Sequence, residues 1–523
     1  MADNWNKLTT VLLDKNHIKI PIKKRFFLYF IEEDENNINK QKILKVIDDL
    51  GFLKDDPRLI NFRNKLKLLV KTNSINYEEF SHCVENNIYI LKKIFQRDLI
   101  IPDFLKFRSY IDDIYEKTIN DNSGKLANYI PQLAKVDPSK YGISICTING
   151  QCYNKGDTSD YFCIQSCCKP INYGIALEEN GSSKVHTYVG REPSGRSFNE
   201  ITLNNKGIPH NPLINSGAIM VSSLIKMGED QCNKFEHVMN IWNKLSKNNN
   251  SVKFNNGVYL SEKKTADRNY ALAHFMKEKN EHKKIGFPDN TNINDIIEFY
   301  FQCCSIEINT ENMAVVAGTL ANGGINPLTG ERIFKSDTVK NMLSMMLMCG
   351  MYDYSGEFAY KIGIPAKSGV GGAILLVIPN VMGIVTWSPK LDEIGNSYRG
   401  VEFCKLFGDK FNFHIFDNNN NDKIDPTLNI YNNKIHTSLI EICNACKNGD
   451  LEHIKILYQR GEDFNISDYD KRTPLHIAVC ENKIEIVKYL VNVIKVKTNV
   501  KDRWNNTPLE DCNGNEDIIK LLS

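Results

Sequence analysis

Apolar residues recur at helical spacing through the first 118 residues, as at Phe26-Phe27, Tyr29-Phe30 and at Ile43, Val46, Ile47 and Leu50, with charged positions between them. Positions three and four apart share one helical face, so this stretch predicts a small helical domain over residues 1–118. The pattern changes at Ala373–Trp387, where apolar and β-branched residues are interrupted only by Pro379-Asn380. That run predicts two buried strands joined by a tight turn and is too broken for a membrane-crossing helix. Asparagines crowd residues 416–435, which predicts a disordered linker. The large region between, 119–415, must carry any chemistry.

Beyond the linker, Lys471-Arg-Thr-Pro-Leu-His-Ile-Ala478 closely follows the ankyrin pattern T-P-L-H-x-A, and Asn506-Thr-Pro-Leu509 repeats it 34 positions on. A degenerate earlier copy begins at Thr437-Ser-Leu439, so residues 436–523 are expected to hold three repeats, about the minimum that buries a shared core. Such surfaces commonly bind proteins, yet these repeats could equally cap or pack on the rest of the chain.

At 523 residues, two to four domains are expected, and a net charge of +2 makes no global case for nucleic acid or membrane partners. Fifteen cysteines include adjacent pairs, Cys167-Cys168 and Cys303-Cys304, that read as buried small apolar residues. With no secretory signal and an N-terminus carrying Asp3 and Asp14 but little arginine, free thiols and a cytoplasmic location are expected. Cys443-x-x-Cys446 lacks a second ligand pair and reads as packing. No metal site is expected, nor a calcium loop: in the acidic run from Asp417 to Asp425 the sixth position is Asp422 and the twelfth Leu428.

The candidate chemistry starts at Ser166 and Lys169, in Phe162-Cys-Ile-Gln-Ser-Cys-Cys-Lys169. At i and i+3 they share a helical face, and a neutral lysine can take the serine proton to make an acyl-transfer nucleophile. The spacing alone does not single them out, since Ser223/Lys226 and Ser261/Lys264 share it. Lys367-Ser368-Gly369 occurs once, downstream, and enzymes of the penicillin-binding type pair S-x-x-K with K-[ST]-G in this order. The triplet and Val370-Gly371-Gly372 predict a strand end that lets substrate approach closely.

Around these motifs the chain resembles the kidney-type glutaminases. The resemblance runs through Tyr129-Ile-Pro-Gln-Leu-Ala134, Gly156-Asp-Thr158, Gly190-Arg-Glu-Pro-Ser-Gly195 and His210-Asn-Pro-Leu-Ile-Asn-Ser-Gly-Ala-Ile219. It continues through Ser261-Glu262, Asp267-Arg-Asn269, Phe299-Tyr-Phe-Gln302, Leu320-Ala-Asn-Gly-Gly324, Gly350-Met-Tyr-Asp353, Pro365-Ala-Lys-Ser-Gly-Val370 and Trp387-Ser-Pro389. It covers nearly the whole chain, the ankyrin segment included.

The resemblance implies a β-lactamase-like α/β catalytic domain, an antiparallel sheet flanked by helices, with an EF-hand-like helical domain before it. It implies hydrolysis of L-glutamine to glutamate and ammonia through a glutamyl-Ser166 acyl-enzyme, with Lys169 as base and Tyr352 near enough to relay protons. A cation such as Lys367 nearby would lower the pKa of Lys169. The backbone N–H groups of Ser166 and Val370 would hold the oxyanion, Glu262 the substrate ammonium, and Asn215, Asn269 and Tyr129 the α-carboxylate. Gln165, Tyr300, Tyr352 and Val370 would complete the pocket. By pattern alone Tyr300 reads as core, Asn215 as a helix cap or turn and Glu262 as a solvated charge at a helix start.

The resemblance further implies a homotetramer built from dimers, activation by phosphate or another multivalent anion, no organic cofactor, and mitochondria as an alternative compartment. The chain departs from the family at Arg196, at Thr202 within Ile201-Thr202-Leu203, and in a longer, more charged loop around Lys277–His282. Other readings are another serine amidase or β-lactamase-like hydrolase, and a catalytically silent ankyrin scaffold.

Overall fold

The computed structural model describes residues 21–523 apart from 32–36, 70–72, 196–199, 248–249, 284–285, 418–422, 429–437 and 513. Arg196, Asp422, Thr437 and most of the expected linker therefore lie outside the described residues. The chain divides into two compact units, one of residues 1–46, 59–98 and 429–523, the other of residues 47–58 and 99–428.

The second unit is built on five antiparallel strands: β1 (Gly142–Thr147), β2 (Cys152–Gly156), β3 (Ala366–Gly369), β4 (Ala373–Ile378) and β5 (Met382–Trp387), in spatial order β2-β1-β5-β4-β3. β4 and β5 form the hairpin expected from Pro379-Asn380, with Ile378 opposite Met382, Ala373 opposite Trp387 and Asn380 left-handed at φ +63°. β3 runs along β4 with Gly369 opposite Ala373, so Lys367-Ser-Gly occupies an edge of the sheet. Every residue of β1, β4 and β5 is buried, because helices cover both faces.

Glycine sets the closeness of that cover at two places. A Cβ at Gly383 of β5 would meet Ala317 at 2.3 Å, which lets the helix Thr310–Ala321 lie directly on the strand. A Cβ at Gly400 would meet Thr386 Oγ1 at 2.7 Å and Ile374 Cδ1 at 2.8 Å, so the helix Tyr398–Lys410 presses on β4 and β5 in the same way. Five helices carry the candidate site: α1 (Cys168–Asn180), α2 (Asn215–Ser223), α3 (Asn256–Lys264), α4 (Asp267–Lys283) and α5 (Ile293–Cys304). α4 corrects the expectation of a loop at Lys277–His282: those residues continue the helix. The segment holds no glycine or proline before Gly286 and Pro288, so nothing in it stops helical propagation.

In the first unit, helices Ile22–Phe30 and Leu451–Arg460 meet, with Gln459 Nε2 donating to the Arg25 carbonyl at 2.6 Å and the Tyr29 hydroxyl bonded to Glu452. Cys446 is buried in an apolar core with Ile454, Leu475 and Ala478. The Thr-Pro-Leu-His motif opens the helix Pro474–Cys480, where Thr473 and His476 form a capping box. All fifteen cysteines are free. No helix among the described residues is long and apolar enough to cross a membrane.

Candidate active site

The two motifs of the sequence meet where the start of α1 packs on β3. A short strand, Phe162–Cys163, leads into a single 3₁₀ turn, Gln165–Cys167, and then into α1. The turn holds Gln165 at φ +49°, a left-handed conformation disfavoured for a residue with a Cβ. It is locked by the glycines of the facing strand. A Cβ at Gly369 would lie 2.7 Å from the Ile164 carbonyl oxygen, and one at Gly371 2.4 Å from that of Cys163. The Cys167 thiol bonds the Lys367 carbonyl at 3.4 Å, joining residues 200 positions apart.

Ser166 sits half-buried on this turn, close enough to the Tyr352 phenol to influence its proton affinity. Burial raises the phenol's pKa, and the neighbouring Ser166 opposes the shift. Two amines lie behind it. Lys169, 1% exposed, donates from Nζ to Asn215 Oδ1 at 2.7 Å. Lys367, 0% exposed, donates to the Gly350 carbonyl at 3.1 Å and the Ser368 carbonyl at 2.5 Å, and its ammonium stands 4.5 Å from the centre of the Tyr352 ring. Neither amine is given a carboxylate partner by these contacts. Burial lowers the pKa of Lys169. Burial, and then the charge of Lys169, bring that of Lys367 down to about 7. The repulsion expected to act on Lys169 is thus felt at Lys367, which sequence reading treated only as a neighbouring charge. Its place in a once-occurring Lys-Ser-Gly was the available signal.

A second cluster lies on the other side of Gln165. Glu262 Oε1 accepts from the Tyr129 hydroxyl at 2.7 Å and from Gln165 Nε2 at 3.1 Å. Glu262 is 9% exposed and belongs to the last turn of α3, not to a solvated helix start. Burial raises its pKa while the two hydrogen bonds oppose the shift. Tyr129 is 46% exposed, yet its hydroxyl reaches inward to the carboxylate. Asn215, the first residue of α2, also accepts from the Tyr300 hydroxyl and donates to Asn269 Oδ1, both at 3.4 Å. Tyr300 is thus both core and pocket wall.

Val370 follows β3 and packs with Ile130, Leu133, Cys163 and Val258, which places it between the two clusters. The fold therefore gathers all ten candidate residues around one stretch of chain, Gln165 to Lys169. A cavity of about 410 Å³ borders Tyr352 on the side of Ser194, Gly195, Asn211 and Asp353. Among the described residues, no group of three His, Cys, Asp or Glu side chains is placed to hold a metal ion.

A serine with a buried lysine one helical turn on, facing Lys-Ser-Gly at a sheet edge, is the arrangement of β-lactamase-type serine hydrolases. The family model for glutaminase matches residues 124–416, that for ankyrin repeats in three copies 442–523, and that for an EF-hand domain 22–102. The chain is 42% identical over 502 residues to the mitochondrial liver isoform of glutaminase from Mus musculus, spanning 94% of this chain and 82% of that protein. It is 44% identical over 308 residues to a glutaminase of Nostoc sp., spanning 59% of this chain and 89% of that one. The crystal structure of Mglu in its glutamate form matches with a TM-score of 0.55 at 35% identity, over 59% of this chain and 70% of that chain. The chain belongs to the glutaminase family, amidohydrolases that act on glutamine, with its β-lactamase-like domain between an EF-hand domain and ankyrin repeats.

Proposed function

We propose that this glutaminase hydrolyses L-glutamine through a glutamyl-Ser166 acyl-enzyme. Neutral Lys169 takes the Ser166 proton as Oγ attacks the carboxamide carbon. The oxyanion that forms is held by the backbone N–H groups of Ser166 and Val370. Collapse breaks the C–N bond, and the departing nitrogen leaves as ammonia with the proton returned through Tyr352. Water, deprotonated by the same amine, then attacks the ester and releases glutamate and Ser166. The observation that supports this most is the pair of buried amines of lowered pKa behind Ser166, Lys169 on Asn215 and Lys367 over the Tyr352 ring.

At the other end Glu262 receives the substrate ammonium, and Tyr129, Asn215 and Asn269 the α-carboxylate. Gln165, Tyr300, Tyr352 and Val370 close the pocket. No cofactor enters this scheme. By family resemblance the working form is a homotetramer in equilibrium with dimers, and phosphate or another multivalent anion favours the tetramer. The fifteen free thiols support a reducing compartment, and the mouse relative's mitochondrial assignment adds the mitochondrion to the cytoplasm. The ankyrin repeats serve as a protein-binding surface.

The test is ammonia release from purified protein with glutamine, asparagine or a β-lactam, with and without phosphate, alongside light scattering. Glutamine alone should be turned over well, and activity and tetramer should rise together, because coupled equilibria are reciprocal. Equal turnover of asparagine would sink the anchoring scheme. A particle of constant size with rising activity would separate activation from assembly.

A further inference from the structure

Tyr352 stands at φ +54°, a left-handed backbone conformation that persists in residues with a Cβ only where surrounding structure imposes it. The imposing contacts converge on the backbone of Met351 and Tyr352. The Met351 N–H donates to Ser355 Oγ at 3.0 Å, and the Ser355 hydroxyl donates to the Tyr352 carbonyl at 2.6 Å. The Met351 carbonyl accepts from the Tyr354 N–H at 3.2 Å and from Asn396 Nδ2 at 3.3 Å. Asn396 is 45 positions away in the chain and fully buried.

Asn396 is itself rigidly held. Its N–H donates to Asp392 Oδ1 at 2.9 Å, its carbonyl accepts from the Asp392 N–H at 2.8 Å, and Asp392 Oδ1 also accepts from the N–H groups of Ile394 and Gly395 at 2.9 Å each. The turn also reaches the other catalytic segment. Ser397 Oγ donates to the Ser388 carbonyl at 2.7 Å, the Ser388 N–H to the Gly372 carbonyl at 2.9 Å, and the Gly372 N–H to the Gly369 carbonyl at 2.9 Å. A Cβ on Gly395, which has φ +99°, would lie 3.8 Å from Val370 Cγ1 and 3.9 Å from Tyr352 Cε2. One turn, 392–397, therefore backs both the phenol and the strand end at Val370.

We propose that Asn396 and Ser355 are positioning residues that hold the backbone of Met351 and Tyr352, keep Tyr352 left-handed and so set the place of its phenol beside Ser166. This rests on the reading that Tyr352 moves protons at Ser166. Misplacing a catalytic group by about 1 Å can cost about 100-fold in rate, whereas substrate anchoring at Glu262 and Asn215 involves neither residue.

The test is steady-state kinetics on the full chain with Asn396→Asp, which keeps the size but removes the amide donor, and with Ser355→Ala, each alone and in a Tyr352→Phe background. Each single change should lower kcat about 10–100-fold while KM stays within about twofold. In the Tyr352→Phe background neither should lower kcat further, because groups acting through one residue do not lose independently. Losses that multiply in that background, or unchanged kcat in the folded single variants, would overturn the proposal. If Asn396→Asp does not fold, Ser355→Ala decides by the same comparison. Full activity of Tyr352→Phe would instead fail the mechanism beneath it, a separate result.

Discussion

The two ends of the pocket bury charge in opposite ways. At the nucleophile end, two amines are surrounded by neutral acceptors: an amide oxygen at Lys169, backbone carbonyls at Lys367. At the anchoring end a carboxylate is surrounded by neutral donors, the Tyr129 hydroxyl and the Gln165 amide. Dipoles make burial tolerable without neutralising the charge, and burial shifts all three groups toward their uncharged forms. The difference lies in what each end awaits. The amines are useful once uncharged, as proton acceptors. Glu262 is useful charged, and the charge it awaits arrives with the substrate. A local carboxylate pairing with either lysine would have stabilised the resting protein and spoiled the chemistry.

The largest expected effect falls at the nucleophile end. Ser166→Ala should lower kcat about 10⁴-fold or more in a folded protein, and Lys169→Ala should do nearly the same. The double variant should be no worse than either, because nucleophile and base act as a unit. A Lys169→Ala enzyme with near-normal kcat would break the comparison by removing the amine from the chemistry.

Next, Glu262→Gln should raise KM far more than it lowers kcat. Leaving the substrate ammonium unpaired in a buried site costs about 3–5 kcal/mol, roughly 10²- to 4 × 10³-fold in kcat/KM. Stability should move the other way. Burial raises the folded pKa of Glu262, so its charged form opposes folding once pH passes its ordinary carboxyl range. The Gln variant should therefore melt no lower than the parent at neutral pH. A lower melting temperature with unchanged KM would assign Glu262 to structure.

The pH dependence sharpens the amine end. Lys367 titrates at about 7 when folded against an ordinary value of 10.5, so the unfolded chain binds more protons between those values. Its cost to folding is full below about pH 7 and is relieved as pH rises toward 10.5. Lys367→Met should therefore melt higher than the parent at pH 6, with the gap closing at alkaline pH. The parent's kcat should climb through about pH 7 as the amine pair sheds its first proton. A kcat flat from pH 6 to 9 would show that neither amine limits turnover.

The smallest effect is expected from Tyr129→Phe. It removes one neutral donor from Glu262, a loss of about 1.5–3 kcal/mol for a hydrogen bond to a charged group. That bond opposes the upward shift, so the variant's Glu262 should titrate higher and KM should begin rising at a higher pH on acidification. Identical KM–pH curves for the two proteins would detach Tyr129 from the anchor.

Much of this was legible in residue order. Proline and asparagine at 379–380 mark the hairpin turn because one lacks a donor and the other tolerates a left-handed φ. Lys367-Ser-Gly marks a strand edge since a Cβ at Gly369 or Gly371 would strike the nucleophile turn. Lys277–His282 misled, because its charges suggest a loop while its lack of breakers permits the helix that forms. Glu262 read as an exposed charge, and no local pattern reveals that α3 turns it inward onto Gln165. The left-handed Gln165 and Tyr352 have no sequence signal either, since neither residue type prefers that conformation.

The sequence by itself determined which chemical groups exist, which share a helical turn and where the chain must bend, because those follow from side-chain type and spacing. Only the tertiary structure decided that Lys169 and Lys367 are buried together with lowered pKa values, that the charge of the first acts on the second, and that Glu262 is buried among neutral donors. Proton affinity depends on how much water and which charges surround a group. Here those surroundings come from segments up to 200 positions apart, brought together only when the sheet and its helices close.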